Sequence, residues 1–117
     1  MVITVPVFQD PAFEHGPNTW TTNVGWSYGV VIDPPPRSIV VGGHAVCVVG
    51  FDPDGSEELG GYFIVRNSWG VTWALNAPYP ERSLAPEPGY GVLSASYVED
   101  FLWELLYIEP DLECAHN

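Results

Sequence analysis

Two side chains in this sequence could do chemistry together. His44 stands in Gly42-Gly43-His44-Ala45-Val46, at the head of an apolar run, and Asn67 opens Asn67-Ser68-Trp69-Gly70 at the end of another. They lie 67 − 44 = 23 positions apart, a separation that a hairpin with a long tip closes. An Asn carbonyl accepts an imidazole N–H, which fixes the tautomer and the ring orientation, and a neighbouring indole shields that bond from water. Such a pair is two thirds of a Cys-His-Asn nucleophilic site. Each residue also has a plainer explanation. A lone His on an apolar strand is by default a core residue with a satisfied ring, since burying it unpaired costs about 1–3 kcal/mol. Asn67 and Ser68 then make a strand-ending turn, with Trp69 in the core. The two glycines before His44 weigh against this account, because they remove side chains where a substrate backbone would approach.

The third member of such a site is not evident. Only Cys47 and Cys114 are present. Successive side chains on a strand alternate faces, so Cys47, three positions after His44, points away from it and is expected to be a small buried hydrophobe. Cys114 sits in a polar tail behind Pro110, with no activating base nearby in sequence, whereas a reactive thiol needs a lowered pKa and a partner. Neither is read as a nucleophile. Two cysteines make no disulfide framework, which favours a reducing compartment. A metal site is disfavoured, since no two of His15, His44 and His116 have ligand-like spacing, and no motif calls for a cofactor.

The elements that must hold the pair follow from the apolar pattern. Ile39 to Phe51 is rich in Val and reads as a central strand buried on both faces. Asp52-Pro53-Asp54-Gly55 is a turn, and Gly61 to Arg66 is the returning strand, so His44 and Asn67 fall on paired antiparallel strands. Val2 to Phe8 is β-branched but carries Pro6, which predicts an edge strand. Residues 9–38 read as a long loop whose Trp20, Trp26 and Tyr28 either bind a partner or fold onto the core. Residues 71–88 read as an irregular excursion, and Gly89 to Leu93 restarts extended structure. Ser96 with Glu99 fits a capping box, and Leu102 to Ile108 continues that helix or forms a last strand.

The whole composition sets limits. At 117 residues the chain makes one domain, and with 46% hydrophobic residues and five Trp it folds. Fifteen acidic residues against three arginines give a net charge of −12, which argues against nucleic acid and anionic membranes as partners. The six carboxylates between Glu99 and Glu113 read as a solvated face. No stretch approaches the roughly 20 apolar residues of a membrane helix, and the N-terminus lacks the basic flank of a signal peptide. A cytoplasmic location is the resulting expectation.

In order, Gly43-His44-Ala45-Val46, Val49-Gly50-Phe51, Tyr62 to Gly70, Trp73 and Gly89-Tyr90-Gly91 resemble the C-terminal half of a papain-like cysteine protease. The match spans residues 42–93, with a weaker one at Val2 to Phe8. The resemblance implies an α+β, mainly antiparallel fold, the β-barrel-like C-terminal lobe, over residues 1–117. It implies His44 as the catalytic histidine, Asn67 as the residue orienting it and Trp69 as the ring over their bond. Gly43 is a supporting residue, and Ala45 lines the pocket for the second substrate side chain on the acyl side. The departures matter too. The segment that carries the family's nucleophilic Cys and its oxyanion-hole Gln has no counterpart here, and Trp73, usually followed by Gly, is followed by Ala74. Two readings result. In one, the chain is the His/Asn half of a peptidase whose cysteine lies on another chain or a missing N-terminal half, inactive alone, and paired with that half or self-associated. In the other it is a catalytically inactive lobe that binds or regulates a protein.

Overall fold

The structure, a computed structural model, describes residues 1–12, 16–53, 61–77 and 85–107. In chain order the elements are β1 (Val2–Gln9), α1 (Asn23–Tyr28), β2 (Ile39–Asp52), β3 (Tyr62–Arg66), a 3-10 turn at Gly70–Thr72, β4 (Tyr90–Ser94), α2 (Ala95–Phe101) and β5 (Glu104–Leu106). The five strands make one antiparallel sheet in the order β4-β3-β2-β1-β5. The α+β, mainly antiparallel architecture is the one expected, but the sheet is open and not a closed barrel, and one of the two short helices, α1, lies where only a loop was expected. At one end, Val31 N–H donates to Val92 O and Val92 N–H to Gly29 O, so the loop after α1 covers the β4 edge. At the other end β5 is only three residues long.

β1 is an interior strand, contrary to the edge expected from Pro6. β5 pairs only with Val2 to Thr4, so no strand lies beside β1 at Pro6. The carbonyl of Pro6 accepts from Tyr97 Oη on the side away from β2. N and C=O of one strand residue project to the same side, so the missing N–H falls where the ladder has ended. β2 corrects a second expectation. It is central in the sheet, yet only Val46 of its 14 residues is buried. The helices pack on one face, against Ile3, Val5 and Val7 of β1, Val46, Val65 and Leu93, while Ala45 and Val49 on the other face stay exposed.

The long loop divides by residue. Trp20 and Val31 join the core, α1 breaks the irregular stretch, and Trp26 remains exposed. Ser94, not Ser96, caps α2, accepting from Tyr97 N at 3.0 Å. The helix therefore follows β4 without a linker, and the Ser96–Glu99 capping box does not form at its start. The segment after α2 forms β5. Ala74 adopts a left-handed backbone with φ 58°, which only glycine adopts freely, at the position where the resemblance implies a glycine.

Candidate active site

The register places the two polar residues together. Cys47 pairs with Arg66, so one step further along each strand sets Asn67 opposite Val46. Directly opposed residues share a face of an antiparallel sheet, and His44 is two positions from Val46 on that same face. Asn67 therefore reaches His44 diagonally, and their side chains meet at 2.7 Å, Nε2 to Oδ1. Asn67 is 4% exposed, and its backbone N–H is held by Gly89 O at 3.0 Å.

The same oxygen also accepts the Ser68 backbone N–H at 2.8 Å. A backbone N–H can only donate, so the Asn67 atom between the two groups is the carbonyl oxygen, and the imidazole nitrogen facing it must be the donor. The neutral ring is thereby fixed as the Nε2–H tautomer, with the lone pair on Nδ1. Nδ1 has no hydrogen-bond partner among the described residues. Burial lowers the pKa of His44 from its ordinary 6.5, and the Asn67 bond opposes that by favouring the charged form. The site thus holds a neutral, oriented imidazole able to take a proton at Nδ1.

Four of the five tryptophans gather around this ring. Trp69 stacks on it at 4.8 Å and 29°, Trp20 meets it edge-on at 4.9 Å and 82°, and Trp26 stacks on Trp69 at 6.0 Å and 25°. Trp73 stands perpendicular to Trp69 and donates its indole N–H to Trp20 O at 2.9 Å. The expected contact of Trp69 is thus present, whereas Trp20 and Trp26 were legible only as members of an aromatic loop.

The remaining residues fall elsewhere. Ala45 is exposed, on the sheet face opposite to His44. Gly42 has open space where a side chain would be, but a Cβ at Gly43 would lie 2.6 Å from Cζ3 of Trp103. The room left by Gly43 is therefore taken by Trp103, a contact for which the sequence carries no signal beyond residue type. Cys47 lies on the face away from His44, but it is half-buried and disulfide-bonded, not a free buried thiol. A bonded Cys47 runs against the reducing compartment expected from so few cysteines. Cys114, His15 and His116 lie outside the described residues. Among the described residues no three His, Cys, Asp or Glu side chains come together as metal ligands, and no helix is long and apolar enough to cross a membrane.

Comparison with known proteins agrees on one family. The profile described as "Papain family cysteine protease" matches residues 14–79, more than half of the chain. Over 61 residues, half of this chain and 18% of the relative, the sequence is 41% identical to an uncharacterized peptidase C1-like protein of Acanthamoeba polyphaga mimivirus. Over 52 residues, 44% of this chain and 15% of the relative, it is 44% identical to cathepsin J of Rattus norvegicus. The matched stretch covers less than a fifth of either relative. No solved structure matches at comparable significance.

Proposed function

The chain belongs to the papain family of cysteine proteases, and from that premise we propose that it supplies the histidine and asparagine of a thiol peptidase site whose cysteine is carried by another segment or chain. The observation that carries this reading is the double acceptor at Asn67 Oδ1, which leaves the His44 lone pair on Nδ1. A thiol brought to Nδ1 gives up its proton there, and the thiolate attacks the substrate carbonyl. The imidazolium so formed keeps its Nε2–H on Asn67 and returns the Nδ1 proton to the leaving amine. Water then cleaves the acyl-thioester, with Nδ1 again as base. Asn67 and Trp69 are positioning residues in this scheme. Ala45, on the sheet face opposite to His44, lines the pocket for the second acyl-side residue of a peptide substrate only from the far side of β2, and Gly43 lets Trp103 pack beneath the strand that carries His44.

A lobe that only binds partners has no use for an imidazole held in one tautomer by a buried amide. Asn67 Nδ2 is buried without a hydrogen-bond partner among the described residues, an arrangement that costs about 1–3 kcal/mol if no water reaches it and that a merely structural turn does not require. The test is a thiol-directed epoxide probe applied to the tagged chain, purified and in extracts of its source. The purified chain should stay unlabelled. In extract the label should appear on a cysteine-bearing polypeptide purifying with the chain, and should be lost with His44→Ala. Labelling that is indifferent to His44 would favour the binding lobe.

A further inference from the structure

We propose that the buried hydroxyl of Tyr97, on α2, positions His44 through Trp20, so that the imidazole is oriented from the far end of the chain as well as by Asn67. The proposal rests on reading His44 as the general base, but its test is made on the chain itself and does not require turnover.

The Asn67 bond and the Trp69 stack together leave His44 one freedom. A single hydrogen bond permits rocking about its own axis, and a stacked ring permits sliding in the plane. Trp20, set at 82° to the imidazole and fully buried, closes the direction that Trp69 leaves open. Trp20 must then be held itself, and its backbone is pinned on both sides. Its N–H donates to Asn18 Oδ1 at 2.8 Å, and its C=O accepts from Trp73 Nε1 at 2.9 Å.

The residue before it ties this segment to the sheet. Thr19 N–H donates to Phe8 O at 2.9 Å, and Phe8 N–H donates to Thr19 Oγ1 at 3.3 Å. Tyr97 Oη donates to Pro6 O at 2.7 Å. With that proton committed, the 3.1 Å contact between Thr19 Oγ1 and Tyr97 Oη has one consistent polarity, Thr19 donating and Tyr97 accepting. The result is a directed chain from Phe8 N–H through Thr19 and Tyr97 to Pro6 O. It joins residues 78 and 91 positions apart and is free to form because β5 ends before Pro6. Burial raises the Tyr97 pKa, so the phenol stays protonated and the relay intact. Without the hydroxyl, the Pro6 carbonyl and the Thr19 hydroxyl both lose a partner in a buried setting, and the strand-to-loop junction next to Trp20 is the part that can shift.

The experiment is histidine-labelled NMR of the full chain, with His44→Gln used to assign the signals. The imidazole nitrogen shifts of His44 give its tautomer, and their titration gives its pKa. In Tyr97→Phe, which keeps the ring packed on Phe8 and Phe101, the Nε2–H tautomer should lose its exclusive population. The titration midpoint should rise toward its ordinary value as the ring gains water. Trp20→Leu should do the same more strongly, and Trp20→Phe less. Thr19→Val cuts the relay one step along and supplies the result if Tyr97→Phe does not fold. Phe101→Leu loosens the same helix without touching the hydroxyl and should lower stability while leaving His44 unmoved. Unchanged His44 signals in Tyr97→Phe or Thr19→Val would overturn the proposal. So would a shift in Phe101→Leu as large as in Tyr97→Phe, since general loosening would then suffice.

Discussion

At the scale of single residues, the site depends on keeping one imidazole neutral. The folded chain protonates His44 less readily than the unfolded chain, because burial outweighs the Asn67 bond. A histidine with a depressed folded pKa contributes stability that is present above its unfolded value of 6.5 and is lost as pH falls through the lowered folded value. Thermal midpoints of the chain and of His44→Gln should therefore differ by a constant amount above about pH 7.5. Below about pH 6.5 the wild type should lose ground to the variant, a comparison that cancels the changing repulsion among the carboxylates. A wild type that gains on the variant in acid would mean that the Asn67 bond, not burial, dominates. That His44 and Asn67 meet was legible in the sequence, because two apolar runs around a turn imply the pairing that joins them. The role of Trp20 was not. Composition shows that a loop holds three large rings, but which of them turns inward is decided by the long-range bonds of Thr19 to Phe8 and of Trp20 to Trp73, which no local pattern encodes.

At the scale of elements, β4 is the strand with least room. A Cβ on Gly91 would lie 2.5 Å from Trp73 Cη2 and 2.6 Å from Gly29 O, and the second of these is backbone. Gly91→Ala should therefore destabilise the chain by about 1–3 kcal/mol, the range for overpacking a core, as measured by urea unfolding. A loss within a few tenths would mean that the tryptophan cluster is looser than its geometry implies. The strands themselves were legible from β-branched runs. Their neighbours were not: Pro6 is an edge signal by local rule, and only the shortness of β5 lets it sit inside the sheet. Likewise a capping box at Ser96 and a cap at Ser94 are equally good local patterns. The helix begins at the earlier one because β4 delivers Ser94 straight into it, where its hydroxyl also donates to Asp33 at 2.7 Å.

For the whole molecule, large apolar side chains are exposed both beside the His44 ring, at Trp26 and Trp69, and elsewhere, at Val49 and Phe51 of β2 and at Trp103, Leu105, Leu106 and Tyr107 after α2. Contiguous apolar patches beyond a few hundred Å² are rarely left bare on monomers. The chain should therefore self-associate at micromolar concentration in sedimentation, or pair with a complementary half where one is present. The charge of −12 opposes a symmetric dimer, but at physiological salt it is screened over about 8 Å. A clean monomer with little binding of hydrophobic dye would contradict this and would favour the self-contained binding lobe. The most direct measurement of the central claim is peptide hydrolysis by the chain alone and by the chain joined to a papain-family helical half bearing the nucleophile. The chain alone should show no turnover. The joined protein should turn over, and His44→Ala should reduce its rate by at least about 10³-fold, in keeping with the loss of a general base that also activates the nucleophile. Hydrolysis by the isolated chain, or a joined protein whose rate does not depend on His44, would contradict the account.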